Sequence, residues 1–146
     1  MEYSIEYIKK NPYNIKHIRN QTEILCSLAV SINGMALKYV RYQTEEICLM
    51  AIKENARALK YVVNQTLKIC IAALKIDRNT FKYLNKPTIK IYLAAVKLDG
   101  NLLSKMNTQT EKLCIAAVKQ NLKAIIHVKQ QTPRIRWQVE KKWQVN

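Results

Sequence analysis

The chain has 146 residues, the length of one domain by the usual range of about 100–200. About half of it is apolar, enough to bury a continuous core, and with only 2 glycines and 3 prolines it favours helix over sheet. The net charge is +15, which points to an anionic partner, yet no apolar run approaches the roughly 18–20 residues of a membrane helix and no membrane is expected as a partner. Met1-Glu2-Tyr3-Ser4-Ile5-Glu6 lacks the basic and apolar zones of a signal peptide.

One pattern repeats every 22 residues. Gln-Thr occurs at 21–22, 43–44, 65–66, 109–110 and 131–132, with Pro87-Thr88 in the gap; Cys26, Cys48, Cys70 and Cys114 keep the same step, with Tyr92 in the vacant slot. A fixed period of this length is the mark of a solenoid. The expected fold is all-α, an α-solenoid of about six stacked helical hairpins with a C-terminal capping helix. It forms a single repeat domain over 1–146, divided at 1–20 (partial), 21–42, 43–64, 65–86, 87–108, 109–130 and 131–146.

Counting the Gln of Gln-Thr as position 1, residues 1–20 form a repeat without its first two positions. From Thr22 onward each unit opens on Thr at position 2, an N-cap whose hydroxyl accepts an orphan amide of the first turn. Helix A then runs over positions 3–12, as in Glu45 to Glu54, with lysine frequent at position 11 near its C-terminus. Asn or Asp at position 13 (Asn11, Asn33, Asn55, Asp77, Asp99, Asn121) suits a tight turn and a cap for helix B at positions 14–20. Alanine fills position 9 from Ala29 to Ala117, which lets two backbones approach closely, and positions 5, 10, 17 and 20 supply the rest of the core. Residues 133–143 are expected to form a final amphipathic helix that buries Ile135, Val139 and Trp143; Trp137 falls off that stripe and either covers the last hairpin, the favoured reading, or stays exposed.

The chemistry-bearing residues are absorbed by this pattern. The cysteines occupy equivalent places in stacked helices about 8–10 Å apart, beyond disulfide reach, and read as free core thiols of a reducing, intracellular compartment. Asn20-Gln21-Thr22 and Asn64-Gln65-Thr66 match the glycosylation pattern only because the repeat joins Asn to Gln-Thr. His17 and His127 replace tyrosine in the position 19 column, near opposite ends, so a shared metal is not expected. No Gly-rich phosphate loop, nucleophile with a positioned base or metal-ligand spacing is present, so neither enzyme activity nor a cofactor is expected.

The unit Gln43-Thr44-Glu45-Glu46-Ile47-Cys48-Leu49-Met50-Ala51-Ile52-Lys53-Glu54-Asn55, followed by Ala58-Leu59-Lys60-Tyr61-Val62, resembles a short helical repeat family of unknown function. That family is frequent in giant amoeba-infecting viruses of the mimivirus kind and occurs in some protists and bacteria. Ala95-Val96-Lys97-Leu98-Asp99-Gly100 and Ala117-Val118-Lys119-Gln120-Asn121 carry the same likeness, which covers nearly the whole chain. The resemblance implies a fold but no activity. It also implies a viral protein from an AT-rich genome, placed in the host cytoplasm or the virion, whose codon usage alone would raise the lysine count.

Exposed columns vary where core columns do not: position 4 runs Ile24, Glu46, Lys68, Lys90, Lys112, Arg134, and position 15 runs Tyr13, Met35, Arg57, Asn79, Asn101, Lys123. This contrast favours a non-enzymatic scaffold for protein–protein interaction. The alternative is sequence-independent binding of nucleic acid or another polyanion. Positions 4 and 11 share one face of helix A and are both basic from the third unit on, which would align Lys68, Lys75, Lys90, Lys97, Lys112, Lys119, Arg134 and Lys141 as a double row. No aromatic residue interleaves with that row, and the N-terminal half puts its charge on helix B at Lys16, Arg19, Lys38, Arg41 and Lys60.

Overall fold

The computed structural model describes residues 2–143 and their side chains from 4 to 141. Those residues form an all-α repeat fold with no strand among them. Seven α-helices, α1 (Glu2–Lys10), α2 (Glu23–Ile32), α3 (Glu45–Glu54), α4 (Leu67–Ile76), α5 (Ile89–Leu98), α6 (Glu111–Gln120) and α7 (Pro133–Trp143), alternate with six short 3-10 helices. These are η1 (Pro12–His17), η2 (Gly34–Tyr39), η3 (Ala56–Tyr61), η4 (Arg78–Tyr83), η5 (Gly100–Lys105) and η6 (Leu122–His127). The chain divides into two compact units, Met1–Asn85 and Lys86–Asn146.

Each α-helix from α2 to α7 begins where the threonine column places it. The hydroxyls of Thr22, Thr44, Thr66, Thr88, Thr110 and Thr132 accept the N–H three residues on, at 3.2–3.4 Å. α1 to α6 each end at the Asn or Asp of position 13. That residue takes an extended backbone, donates its N–H to the position 9 carbonyl, and accepts the N–H two residues on with its side chain. One side chain therefore stops one helix and starts the next, and no linker is needed.

Helix B is a 3-10 helix rather than an α-helix, and it is one residue shorter than the 14–20 span expected from the sequence. Only six residues lie between the cap and the position 20 residue that closes the segment, and 3-10 geometry places i and i+3 above one another. Positions 14, 17 and 20 then face inward together: Gly34, Leu37 and Val40 in one hairpin, Ala56, Leu59 and Val62 in the next, Gly100, Leu103 and Met106 in the fifth.

In residues 1–85 the α-helices pack in sequence order and so do η1 to η4, giving an α layer and a 3-10 layer with the core between them. Residues 86–146 repeat the arrangement with α5, α6 and α7 in one layer and η5 and η6 in the other. The position 9 alanines are fully buried. The backbone carbonyls of Ala51 and Ala117 lie close against a glycine of the preceding hairpin. A Cβ added to Gly34 would lie 2.1 Å from the Ala51 carbonyl oxygen, and one added to Gly100 would lie 2.5 Å from that of Ala117. The glycine serves close approach here, since neither has a positive φ.

At the far end Ile135 is fully buried and Val139 half-buried, as expected of a cap. The side chain of Trp143 lies outside the described residues. Trp137, for which covering the last hairpin was the favoured reading, is 52% exposed. Its ring instead lies beneath the Lys141 ammonium, 4.9 Å from the centroid, four residues along the same helix face.

Candidate interaction surfaces

The side chain that joins successive hairpins is the glutamine of position 1. Gln65 donates its amide to the carbonyls of Leu59 (3.0 Å) and Tyr83 (2.9 Å), and its Oε1 accepts the N–H of Asn85 (2.8 Å). Gln21, Gln43 and Gln109 make the same three bonds, each to the hairpin before and the hairpin after. The Tyr83 carbonyl is at the last residue of its 3-10 segment, where intrahelical partners run out, while that of Leu59 also accepts the Val62 N–H, so the glutamine is its second donor. The recurrence of glutamine was plain in the sequence; its role was not, because no local motif needs an amide there. Pro87, which stands in this column at the start of the second unit, has no amide to offer, and Lys86 before it takes a left-handed φ of 47°.

All eight residues of the expected double row are exposed. In residues 1–85 the row comprises Lys68 and Lys75 on α4. Lys68 is engaged: its ammonium lies 2.7 Å from Glu45 Oε1, while Glu45 Oε2 accepts the Thr66 hydroxyl at 3.0 Å. The Lys68 bond, then the Thr66 bond, holds the Glu45 carboxyl below its ordinary value, and the same pairing raises Lys68.

In residues 86–146 the row comprises Lys90 and Lys97 on α5, Lys112 and Lys119 on α6, and Arg134 and Lys141 on α7. Arg134 lies 3.4 Å from Glu111, which also accepts the Thr132 hydroxyl at 2.6 Å. Lys97, Lys112 and Lys119 line one groove between α5 and α6, whose floor is Leu93, Ile115 and Ala116. Lys90 stands outside it.

The 3-10 layer of residues 1–85 carries a second basic surface. Position 18 is lysine in all four hairpins (Lys16, Lys38, Lys60, Lys82), and position 19 is His17, Tyr39, Tyr61 and Tyr83. The lysines and His17 are exposed; the tyrosines are half-buried.

The four cysteines are free and buried. Burial pushes Cys48 and Cys70 up to about 11, with the Glu45 charge adding to the rise at Cys48, and it raises Cys26 and Cys114 as well. They are protonated thiols at neutral pH, unsuited to nucleophilic attack or metal ligation. Among the described residues no group of three or more His, Cys, Asp or Glu could hold a metal ion, and no helix is long and apolar enough to cross a membrane. Comparison of the chain with protein-family models, with curated proteins and with solved structures finds no match.

Proposed function

We propose that the chain is a non-enzymatic repeat scaffold for protein–protein interaction, and that its partner at residues 86–146 is acidic with an apolar face. The observation that carries this reading is the groove between α5 and α6. Its floor of Leu93, Ile115 and Ala116 offers apolar area to a side chain, and its margin of Lys97, Lys112 and Lys119 selects for carboxylates around it. A nucleic acid would use the lysines and leave the apolar floor wet. The likeness to a repeat family without assigned activity agrees with a scaffold. Affinity capture from nuclease-treated lysate, with the chain against a Lys97→Glu, Lys112→Glu, Lys119→Glu variant, tests it. The reading expects proteins that survive nuclease and are lost from the variant. Retention that vanishes with nuclease treatment would sink it.

A second reading, sequence-independent polyanion binding, is favoured by the exposure of the whole basic row from Lys68 to Lys141 and by the net charge of +15. Such binding would be made to phosphates and would weaken steeply with salt.

A further inference from the structure

We propose that the lysine–tyrosine ladder on η1 to η4, within residues 1–85, binds single-stranded nucleic acid. The proposal rests on the polyanion reading and gives it a site and a substrate class, on the 3-10 layer instead of the α layer.

Three observations converge on this face. Charge is segregated. No acidic residue occurs in η1, η2, η3 or η4, while each contributes a lysine at position 18, and Arg57 and Arg78 add to it. The acids of this unit with described side chains lie on the α-helices or at the position 13 cap.

Aromatic rings alternate with the charges. The Lys60 ammonium lies 4.7 Å from the Tyr61 ring centroid and that of Lys82 lies 5.1 Å from Tyr83. Tyr39 sits between two ammoniums, Lys38 at 5.5 Å and Lys16 of the preceding hairpin at 5.7 Å, and meets the Tyr13 ring edge-on at 6.0 Å. The first two rungs are therefore in direct contact across hairpins, and the pairing of lysine with tyrosine recurs within the next two.

Lastly, the ladder is fixed in place. The carbonyls of Tyr39, Tyr61 and Tyr83 are the ones held by Gln21, Gln43 and Gln65. Backbone order set before binding need not be acquired during it.

Magnitudes select the occupant. An exposed cation–π contact is worth about 0.5–1 kcal/mol, whereas a base stacked on an aromatic ring is worth about 1–3 kcal/mol. A base can take the ring face while the ammonium turns to the neighbouring phosphate, where it makes a charge-assisted hydrogen bond. A duplex presents phosphates but keeps its base faces inside, so it gains only the charge part. Residues 86–146 cannot do the same, since the two columns hold Ser104 and Lys105 in η5, and Ile126 and His127 in η6.

The test is fluorescence anisotropy on the full chain with a labelled oligothymidine and with a duplex of the same length, across a salt series. The single strand should bind more tightly. Lys16→Gln, Lys38→Gln, Lys60→Gln, Lys82→Gln together should weaken it and flatten the salt slope by up to about 0.7 for each phosphate that is no longer neutralised. Tyr61→Leu should weaken binding about five-fold or more with the slope unchanged. The charge-matched control Lys90→Gln, Lys97→Gln, Lys112→Gln, Lys119→Gln should keep most of the affinity, and circular dichroism checks that each variant is folded.

If the control loses binding and the ladder variant keeps it, this inference fails while polyanion binding stands on the α layer. If the duplex binds as tightly as the single strand, the tyrosines take no bases and the inference fails. If the chain binds neither, the polyanion reading falls with it.

Discussion

In residues 1–85 a lysine stands at position 18 of every hairpin with tyrosine or histidine after it, and the 3-10 layer carries the basic surface. In residues 86–146 those columns lose the pattern, and exposed lysines crowd the α layer at positions 4 and 11 instead. The α layer of the first unit is mixed at position 4, with Ile24 and Glu46 before Lys68. Beneath these surfaces the frame does not change: threonine caps, an Asn or Asp turn and a buried alanine recur in both units. The frame specifies a hairpin and leaves its outward columns free, so one backbone can present different chemistry on different faces.

The largest expected effect tests whether the frame is in fact shared. Gln43→Leu in the first unit and Gln109→Leu in the second each strand one carbonyl (Tyr61 or His127) and one N–H, and remove a second bond from a carbonyl that keeps its backbone donor (Leu37 or Leu103). A stranded buried group costs about 1–3 kcal/mol, and these groups are part-buried, so a loss of about 2 kcal/mol is expected for either variant. Denaturant titration measures it. If only one of the two variants is destabilised, the units are not held by the same device.

That glutamine also marks the limit of what the sequence tells. The α-helices were legible to the residue, as Glu45–Glu54 shows, because cap, apolar stripe and turn residue all speak locally. The 3-10 form of helix B was less so, since six residues between two stops fit either helix until burial at positions 14, 17 and 20 decides. The glutamine bonds join residues 6, 18 and 20 apart in the chain, and nothing local announces them. The eight residues of the basic double row are exposed, but the Glu45–Lys68 and Glu111–Arg134 pairs cross from one repeat to the next and escaped a reading made along single helices. The tyrosine column was visible; that the lysines beside it lie over the rings was not, because that depends on side-chain direction.

A middle-sized effect concerns the thiols, three of which lie in residues 1–85 and one in residues 86–146. Cys48 and Cys70 are raised from 9.0 to about 11 by burial. A raised value means that the folded state holds the proton longer than the unfolded one. The contribution to stability is therefore complete below pH 9.0 and is lost as pH rises through about 11. Stability should fall across this window, and the fall should be smaller in a Cys48→Ala, Cys70→Ala variant. Equal slopes in the two proteins would show that the thiols open to water before they ionise. Hydrogen exchange should place the alkaline loosening first in residues 1–85.

The smallest effect addresses the surface directly. At two of the three repeats with glutamate at position 3 it reaches forward to the next repeat: Glu45 to Thr66 and Lys68, Glu111 to Thr132 and Arg134. At α5 the position holds Ile89, which is 47% exposed, so Thr110 and Lys112 of the next repeat face an isoleucine in its place. Ile89→Glu should supply the missing carboxylate, and it would stand in the first turn of α5, where the helix dipole favours a negative charge. The gain is small, because an exposed pair is screened by water and salt, and a Tm rise of about one to three degrees is expected. By analogy with Glu45, whose carboxyl is held low, the gain should be present above the ordinary carboxylate value and disappear as pH falls through the lowered one. It should also disappear at high salt. The same substitution draws Lys112 out of the groove margin, so capture of an acidic partner at residues 86–146 should weaken while oligothymidine binding at residues 1–85 stays unchanged. If both change together, the two basic surfaces are one surface, and the contrast between the units does not extend to what they bind.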